Sequence, residues 1–217
     1  MMMNLFSVFD PCTGILSLNW VSSSIMFLIV PKKFWLSMNT YNMIMKMITT
    51  QMKKEIKSSI KYNGASLMFI TIFLFILINN MMGMLPYVYT SPSQLVFSMS
   101  LSIPMWLSFM TYGWVNKTKS MFTHLVPMGT PNLLMPFMVM IETISNLIRP
   151  ISLSVRLSAN MIAGHLLMSL LGGNFLSMKY LILMSLLFMM LMVFEMAVAI
   201  IQSYVFMTLT TLYSSEI

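Results

Sequence analysis

The sequence predicts an all-α integral membrane protein with about five membrane-embedded helices and one amphipathic surface helix. Apolar residues make up 58% of the 217 residues and charged residues only 8%, whereas a soluble domain carries about 25% charge. This composition excludes a soluble α/β enzyme and a disordered chain. The single cysteine, Cys12, also excludes a disulfide-stapled scaffold.

The positive charge of the chain is distributed in a way that is typical of loops at a membrane surface. The formal net charge is +7, from 12 basic and 5 acidic residues. All basic residues except Arg149 and Arg156 are lysines beside apolar runs, and they lack the aromatic-interleaved clustering of a nucleic-acid interface. We therefore expect the lipid bilayer as a partner, and no nucleic acid.

Three apolar runs in the first half of the chain are candidate membrane spans, since crossing the hydrocarbon core takes about 20 helical residues. The run at 15–30 is short and ends at Pro31. The run at 66–85 has the clearest apolar character and ends at Pro86, and a third run covers 95–115.

The segment 39–61, between the first two spans, has the pattern of an amphipathic helix. At about 100° per residue its apolar residues share one face and its lysines another. The apolar set is Ile44, Ile48, Met52, Ile56 and Ile60, and the basic set is Lys46, Lys53, Lys54, Lys57 and Lys61. Only Glu55 departs from the pattern, because it falls on the apolar side. The segment is predicted to lie flat on the inner membrane surface.

Two long apolar segments, 133–171 and 180–212, form the C-terminal part, and Gly172-Gly173-Asn174 provides a turn between them. As a helix, the 39 residues of the first segment would be about 58 Å long, and the hydrocarbon core is about 30 Å thick. This helix is therefore either steeply tilted or broken at Pro150. The residues alone favour the break, because proline removes a helical hydrogen bond.

Lysines in the loops predict the orientation of the chain. Nine lie in the loops between the first and second spans and between the third and fourth, whereas only Lys179 lies in the other inter-span loops. The positive-inside rule then places the N-terminus outside and the C-terminus inside.

Ionisable residues within the two long segments are the main candidates for function. They are Glu142, Arg149, Arg156, His165 and Glu195. A central charge costs about 2.5–3.5 kcal/mol on insertion scales, so such residues mainly face water, a partner or an ion path. For Arg156 the structural alternative is an interhelical salt bridge to Glu142 or Glu195. For His165 a hydrogen-bonded structural role is nearly as plausible as a proton relay.

Spacing limits these alternatives. Glu142 and Arg156 are 14 positions apart, about 21 Å along a helix, so they cannot pair within it. Ser152, Ala159 and Ala163 share the face of Arg156, and such small side chains let another helix approach closely. His165 points the opposite way, which predicts two environments around one helix.

On the last helix, Glu195 and Gln202 lie seven positions apart and form one polar stripe. The stripe is either hydrogen-bonded to a neighbouring helix or the wall of an aqueous half-channel. No nucleotide-binding loop or metal cluster is evident, since Gly172-Gly173 lacks a following Gly-Lys-Ser/Thr. We expect no metal, no nucleotide and no cofactor, and the residue types present are suited to moving protons.

Four motifs resemble subunit a of F-type ATP synthases, and the resemblance extends over nearly the whole chain. The most specific is the run Ser154-Val155-Arg156-Leu157-Ser158-Ala159-Asn160-Met161-Ile162-Ala163-Gly164-His165-Leu166-Leu167. The others lie at 141–145 (IETIS), 195–206 (EMAVAIIQSYVF) and 80–87 (NMMGMLPY). The combination of His165 with Glu195 is similar to the mitochondrial variant of the pattern. The high methionine content, 30 residues, is similar to that of arthropod members and of proteins encoded by small organellar genomes.

The resemblance implies a stator subunit beside a rotating ring of c subunits, each with a membrane carboxylate, and with other membrane-sector and peripheral-stalk subunits as partners. Arg156 would be the essential charge between two proton half-channels. His165 and Glu195 would belong to the intermembrane-space half-channel and Glu142 to the matrix one, with Gln202 and Asn160 on the proton path. The resemblance also implies that 133–171 is one tilted helix in the mitochondrial inner membrane.

Two points stay open at the level of sequence. Arg149 departs from the family pattern, which demands only the second arginine, and its role is unassigned. An ion-coupled secondary transporter is the competing class, but such folds usually carry paired internal repeats, and none is evident here. A purely structural anchor would not need Glu142, Arg156, Glu195 and Gln202.

Overall fold

The computed structural model describes residues 5–12, 17–30, 37, 39–60, 63–85, 87–126, 131, 134–173 and 181–216. Within them the chain is helical, which confirms the predicted all-α class. The α-helices are α1 Met26–Ile29, α2 Thr40–Ser59, α3 Asn63–Gly83, α4 Leu95–Asn116, α5 Thr118–Leu125, α6 Met135–Gly173 and α7 Leu181–Glu216. Short 3-10 helices cover Leu5–Phe9, Leu18–Ile25 and Ser91–Ser93.

Four of the described helices, α3, α4, α6 and α7, are long and apolar enough to cross a membrane. The predicted first span at 15–30 is not among them, because its described residues form the 3-10 helix Leu18–Ile25 and the single turn α1. Within this segment Ser23 and Ser24 donate to the carbonyls of Trp20 and Val21, three residues back.

Helices α3 and α4 run antiparallel, as the contacts between their aromatic side chains show. Phe69 stacks near Phe109 and Phe75 near Phe97, at 5.9 and 5.5 Å between ring centroids, so α3 and α4 run in opposite directions. The α4–α5 junction, with Lys117 and Lys119, therefore lies at the same end of the bundle as the start of α3 and the adjoining α2. We call this the lysine end, and the opposite end, which holds residues 87–94, the loop end. Lys32, Lys33, Lys61 and Lys179 lie outside the described residues.

Helix α6 is continuous through Pro150, as the resemblance implied, so the break that the residues alone favoured is wrong. Proline removes one backbone hydrogen bond, and its fixed φ is compatible with the helix. Pro150 is buried and lines the same small cavity as Met105 and Trp106 of α4. Packing against α4 thus holds the helix together where one internal bond is lost. At about 58 Å, the unbroken helix of 39 residues is about twice as long as a hydrocarbon core that is about 30 Å thick.

Helix α2 has the predicted amphipathic pattern, but protein covers much of its apolar face. Ile56 and Ile60 are buried against Phe69, Phe73, Met105 and Met207, whereas Lys46, Lys53, Lys54 and Lys57 are exposed. Glu55, which departs from the pattern, accepts a hydrogen bond of 3.1 Å from the Tyr204 hydroxyl of α7. The exception therefore has a partner that only the packed helices reveal.

Small polar side chains allow α6 and its neighbours to pack closely. Ser154 and Ser158 on α6 and Ser203 on α7 are buried and donate to carbonyls of their own helices. Leu153 and Leu157 pack with Ile76 of α3 and Phe206 of α7 in the middle of the bundle. One face of α6 is thereby covered by protein, while the opposite face is left open.

Candidate functional site

Arg156 lies on the open face of α6. It is exposed, as are the small residues Ser152, Ala159 and Ala163 on the same face. In the described part of the chain, Arg156 has no ion pair or hydrogen bond, and the salt bridge to Glu142 or Glu195 considered as an alternative does not form there. A guanidinium exposed on a membrane-spanning helix requires a partner with opposite charge or water.

Glu195 lies on the covered side of α6, pressed against Gly164. The Glu195 carboxylate occupies the space into which a Cβ at position 164 would project. Only 8% of Glu195 is exposed, and its Oε1 atom has no hydrogen-bond partner among the described residues. Glycine at 164 is therefore what lets this carboxylate reach the surface of α6.

His165, the residue after Gly164 on α6, faces the loop end. Its ring reaches the backbone of Gly83, at the end of α3, and Phe9 meets it edge-on at 6.3 Å between centroids. The Nε2 atom is buried without a partner in the described structure. His165 and the adjoining Glu195 site thus form a group of proton-exchanging side chains with unused hydrogen-bonding capacity.

Asn160 and Gln202 connect α6 and α7 between Arg156 and Glu195. The Asn160 amide donates to Gln202 Oε1 at 3.1 Å. For Gln202 this is the interhelical hydrogen bond that the sequence left as one of two alternatives. The bond places the polar stripe of α7 against α6, with Glu195 two turns nearer the loop end than Gln202.

Asn80 is a buried polar residue of the site that reasoning from the sequence did not select. It is fully buried in α3, its amide lies 3.5 Å from the Ala199 carbonyl of α7, and its Oδ1 has no partner in the described residues. Ala199 is one helical turn from Glu195, so Asn80 contacts α7 one turn from the residue that carries the carboxylate. The available signal was the adjacent Asn79-Asn80 pair in the predicted span at 66–85.

Glu142 and Arg149 form a separate group toward the lysine end. Arg149 Nη2 lies 3.9 Å from Glu142 Oε1, and the guanidinium carbon lies 4.9 Å from the centroid of the Tyr213 ring of α7. Both side chains line a cavity of about 580 Å³ between α4, α5, α6 and the end of α7, together with Asn146, Trp106 and Trp114. Arg149, unassigned by sequence, is therefore the partner of Glu142.

The two groups lie toward opposite ends of the bundle. Glu142 shares its cavity with Trp114, which lies near the end of α4 that adjoins Lys117. His165 contacts Gly83 and Phe9 at the loop end. Arg156 lies between them, about 21 Å from Glu142 and about 13 Å from His165 along the α6 axis.

Within the described ranges, no three His, Cys, Asp or Glu side chains come together to hold a metal ion. The chemistry of the site is that of carboxylates, an imidazole, amides and one unpaired guanidinium, set inside apolar helices. These features define a membrane protein that translocates ions, and the residue types favour protons.

Comparison with known proteins gives the family. The model of the ATP synthase A chain family matches residues 12–215. The chain is 54% identical to ATP synthase subunit a of Drosophila simulans over 223 residues and to that of Aedes aegypti over 225 residues. It is 53% identical to that of Drosophila melanogaster over 223 residues, and all three alignments cover the whole of both chains. The chain belongs to the ATP synthase A chain family. It is a proton-translocating component of a multisubunit complex and not an enzyme by itself.

Proposed function

We propose that this chain is the stator subunit that passes protons through two half-channels to and from the carboxylates of a rotating c-ring. The observation that carries the proposal is the exposed Arg156, which has no ion pair or hydrogen bond within the described residues and lies between proton-exchanging groups at opposite ends of the bundle. The half-channel at the loop end contains His165 and Glu195, with Asn160 and Gln202 beside them. The half-channel at the lysine end contains Glu142.

The role of Arg156 follows from electrostatics. A ring carboxylate that arrives opposite Arg156 is favoured in its charged form, because the guanidinium lowers the free energy of the carboxylate in a low-dielectric setting. The carboxylate therefore releases its proton before it passes. The same fixed positive charge raises the barrier for a proton moving directly from one half-channel to the other.

The small residues around Arg156 fit a helical partner that comes close. Ala159 and Ala163 are exposed and leave room for another backbone. We propose that the c-ring covers this face and that other membrane-sector and peripheral-stalk subunits contact the remaining apolar surface.

The exposed lysines of α2 support a matrix location for the lysine end. This orientation places the C-terminus in the matrix and the N-terminus in the intermembrane space of the mitochondrial inner membrane. The methionine-rich composition favours mitochondrial encoding.

The test is Arg156→Ala in the assembled complex. We expect loss of proton-driven ATP synthesis with assembly retained, because Arg156 has no described intramolecular partner and its loss leaves no group unpaired within the chain. Val155→Ala, which shortens the exposed neighbour, is the matched control and should retain synthesis. Normal synthesis in assembled Arg156→Ala complexes would refute the proposal.

A further inference from the structure

The N-terminal residues 5–12 lie over the loop end of the bundle and contact the proton-exchanging group there. The 3-10 helix Leu5–Phe9 ends with the Phe9 ring edge-on to His165, at an angle of 87°. The Gln94 side chain, at the start of α4, donates to the Phe9 carbonyl at 2.8 Å. The segment is thus held at the position where it covers His165.

The residues after Phe9 form a hydrogen-bonded turn. The Cys12 amide donates to Asp10 Oδ1 at 3.1 Å, and the Asn19 side chain donates to the Asp10 carbonyl at 3.1 Å. Asp10 is exposed, so its carboxylate lies at the rim while Phe9 points inward.

The rim beside Phe9 is polar. Tyr89 lies beside Gln94 and within electrostatic reach of Asp10, and burial raises the pKa of its phenol above the ordinary value of 10.0. Tyr89 is therefore a neutral hydroxyl at physiological pH. The Nε2 atom of His165 is buried and has no hydrogen-bond partner among the described residues.

We propose that residues 5–12 are the outer cover of the proton entrance and that Phe9 is the positioning residue that shields His165. The part of this inference that concerns proton entry rests on the proposed function, whereas the shielding rests on the contacts alone. Water reaches His165 when Phe9 moves aside at the rim of Asp10, Gln94 and Tyr89. The cover thus separates His165 from direct contact with bulk water.

The shielding is tested by labelling in the assembled complex. His165→Cys is introduced with Cys12→Ser, which removes the exposed native thiol, and mitoplasts are treated with a membrane-impermeant methanethiosulfonate. Adding Phe9→Ala should increase the labelling rate at position 165 about tenfold, because the ring that covers the thiol is removed and a change of about 1.4 kcal/mol in the stability of the covered state is tenfold in the open fraction. Phe9→Tyr, which keeps the ring, should restore slow labelling. Phe6→Ala is the matched control, because Phe6 lies on the same segment and is exposed.

Equal labelling rates with Phe9→Ala and without it would overturn the shielding. If Phe9→Ala complexes do not assemble, Gln94→Ala replaces that variant. It removes the hydrogen bond that holds the Phe9 carbonyl, while the Phe9 side chain itself is unchanged. With His165 intact, Phe9→Ala should also change passive proton flow through the membrane sector. Faster labelling with unchanged proton flow would refute the role in proton entry, and retained synthesis in Arg156→Ala would separately refute the proposed function.

Discussion

The two polar groups of this membrane protein are built in opposite ways. At the loop end, Glu195 is 8% exposed, packed onto Gly164 and without a partner for Oε1 in the described structure. At the lysine end, Glu142 has a side chain that is 40% exposed, is paired with Arg149 and lines a cavity of about 580 Å³. The comparison indicates that close helix packing fixes the position of the Glu195 carboxylate. The surroundings of the Glu142 carboxylate are instead a neighbouring guanidinium and an open cavity.

The two ends of the bundle are assigned to opposite sides of the membrane. This assignment predicts the largest effect, because thiol labelling at the lysine end should occur from one side only. Single cysteines at Lys53 and Lys117, both exposed, should react with an impermeant thiol reagent only in inverted vesicles, with Cys12→Ser as the background. The physical reason is the excess of loop lysines at this end. Reaction in right-side-out vesicles would reverse the model.

Gly164→Val tests the close-packed group. Any side chain at 164 collides with the Glu195 carboxylate, so that carboxylate must move. Because displacing a reacting group by about 1 Å can lower a rate about a hundredfold, we expect a loss of ATP synthesis of that order. Gly172→Ala is the matched control, since a Cβ there meets open space. Retained synthesis in Gly164→Val would show that the exact position of Glu195 does not matter.

Glu195→Gln combined with His165→Ala tests whether the two side chains act together. Glutamine keeps the size of the carboxylate but cannot change charge, so Glu195→Gln should slow proton-driven turnover while the complex remains assembled. If the two residues share one proton path, His165→Ala should add little to that loss. The measurement is proton flux in both single variants and in the double variant. Fully multiplicative losses would separate the two residues.

Arg149→Gln tests the open group and should have the smallest effect. Its ion pair with Glu142 is long and partly exposed, at 3.9 Å and with side chains 27% and 40% exposed. Such pairs contribute about 0–1 kcal/mol, so we expect at most a several-fold change in proton-driven turnover. Arg149→Lys, which keeps the charge, is the control. A loss as large as that expected for Gly164→Val would contradict the contrast between the two groups.

Local sequence pattern predicted much of the fold, because hydropathy and helical periodicity depend on neighbouring residues. The spans now seen as α3 and α4, and the lysine and isoleucine faces of α2, follow from such patterns. The break that the residues alone favoured at Pro150 is wrong, because contact with α4 compensates for the missing hydrogen bond. Hydropathy and local preference do not measure such packing. At 15–30 the described residues form a 3-10 helix and one α-helical turn.

The sequence by itself determined that the chain is a membrane protein with charges inside its helices, since 8% charge and long apolar runs leave no other environment for it. Only the tertiary structure decided which groups meet. It paired Glu142 with Arg149 and Asn160 with Gln202, placed Glu195 on Gly164, brought Asn80 to α7 and laid Phe9 over His165. These contacts depend on the register of antiparallel helices, which is set by how small and large side chains fit across an interface, and no single helix contains that information.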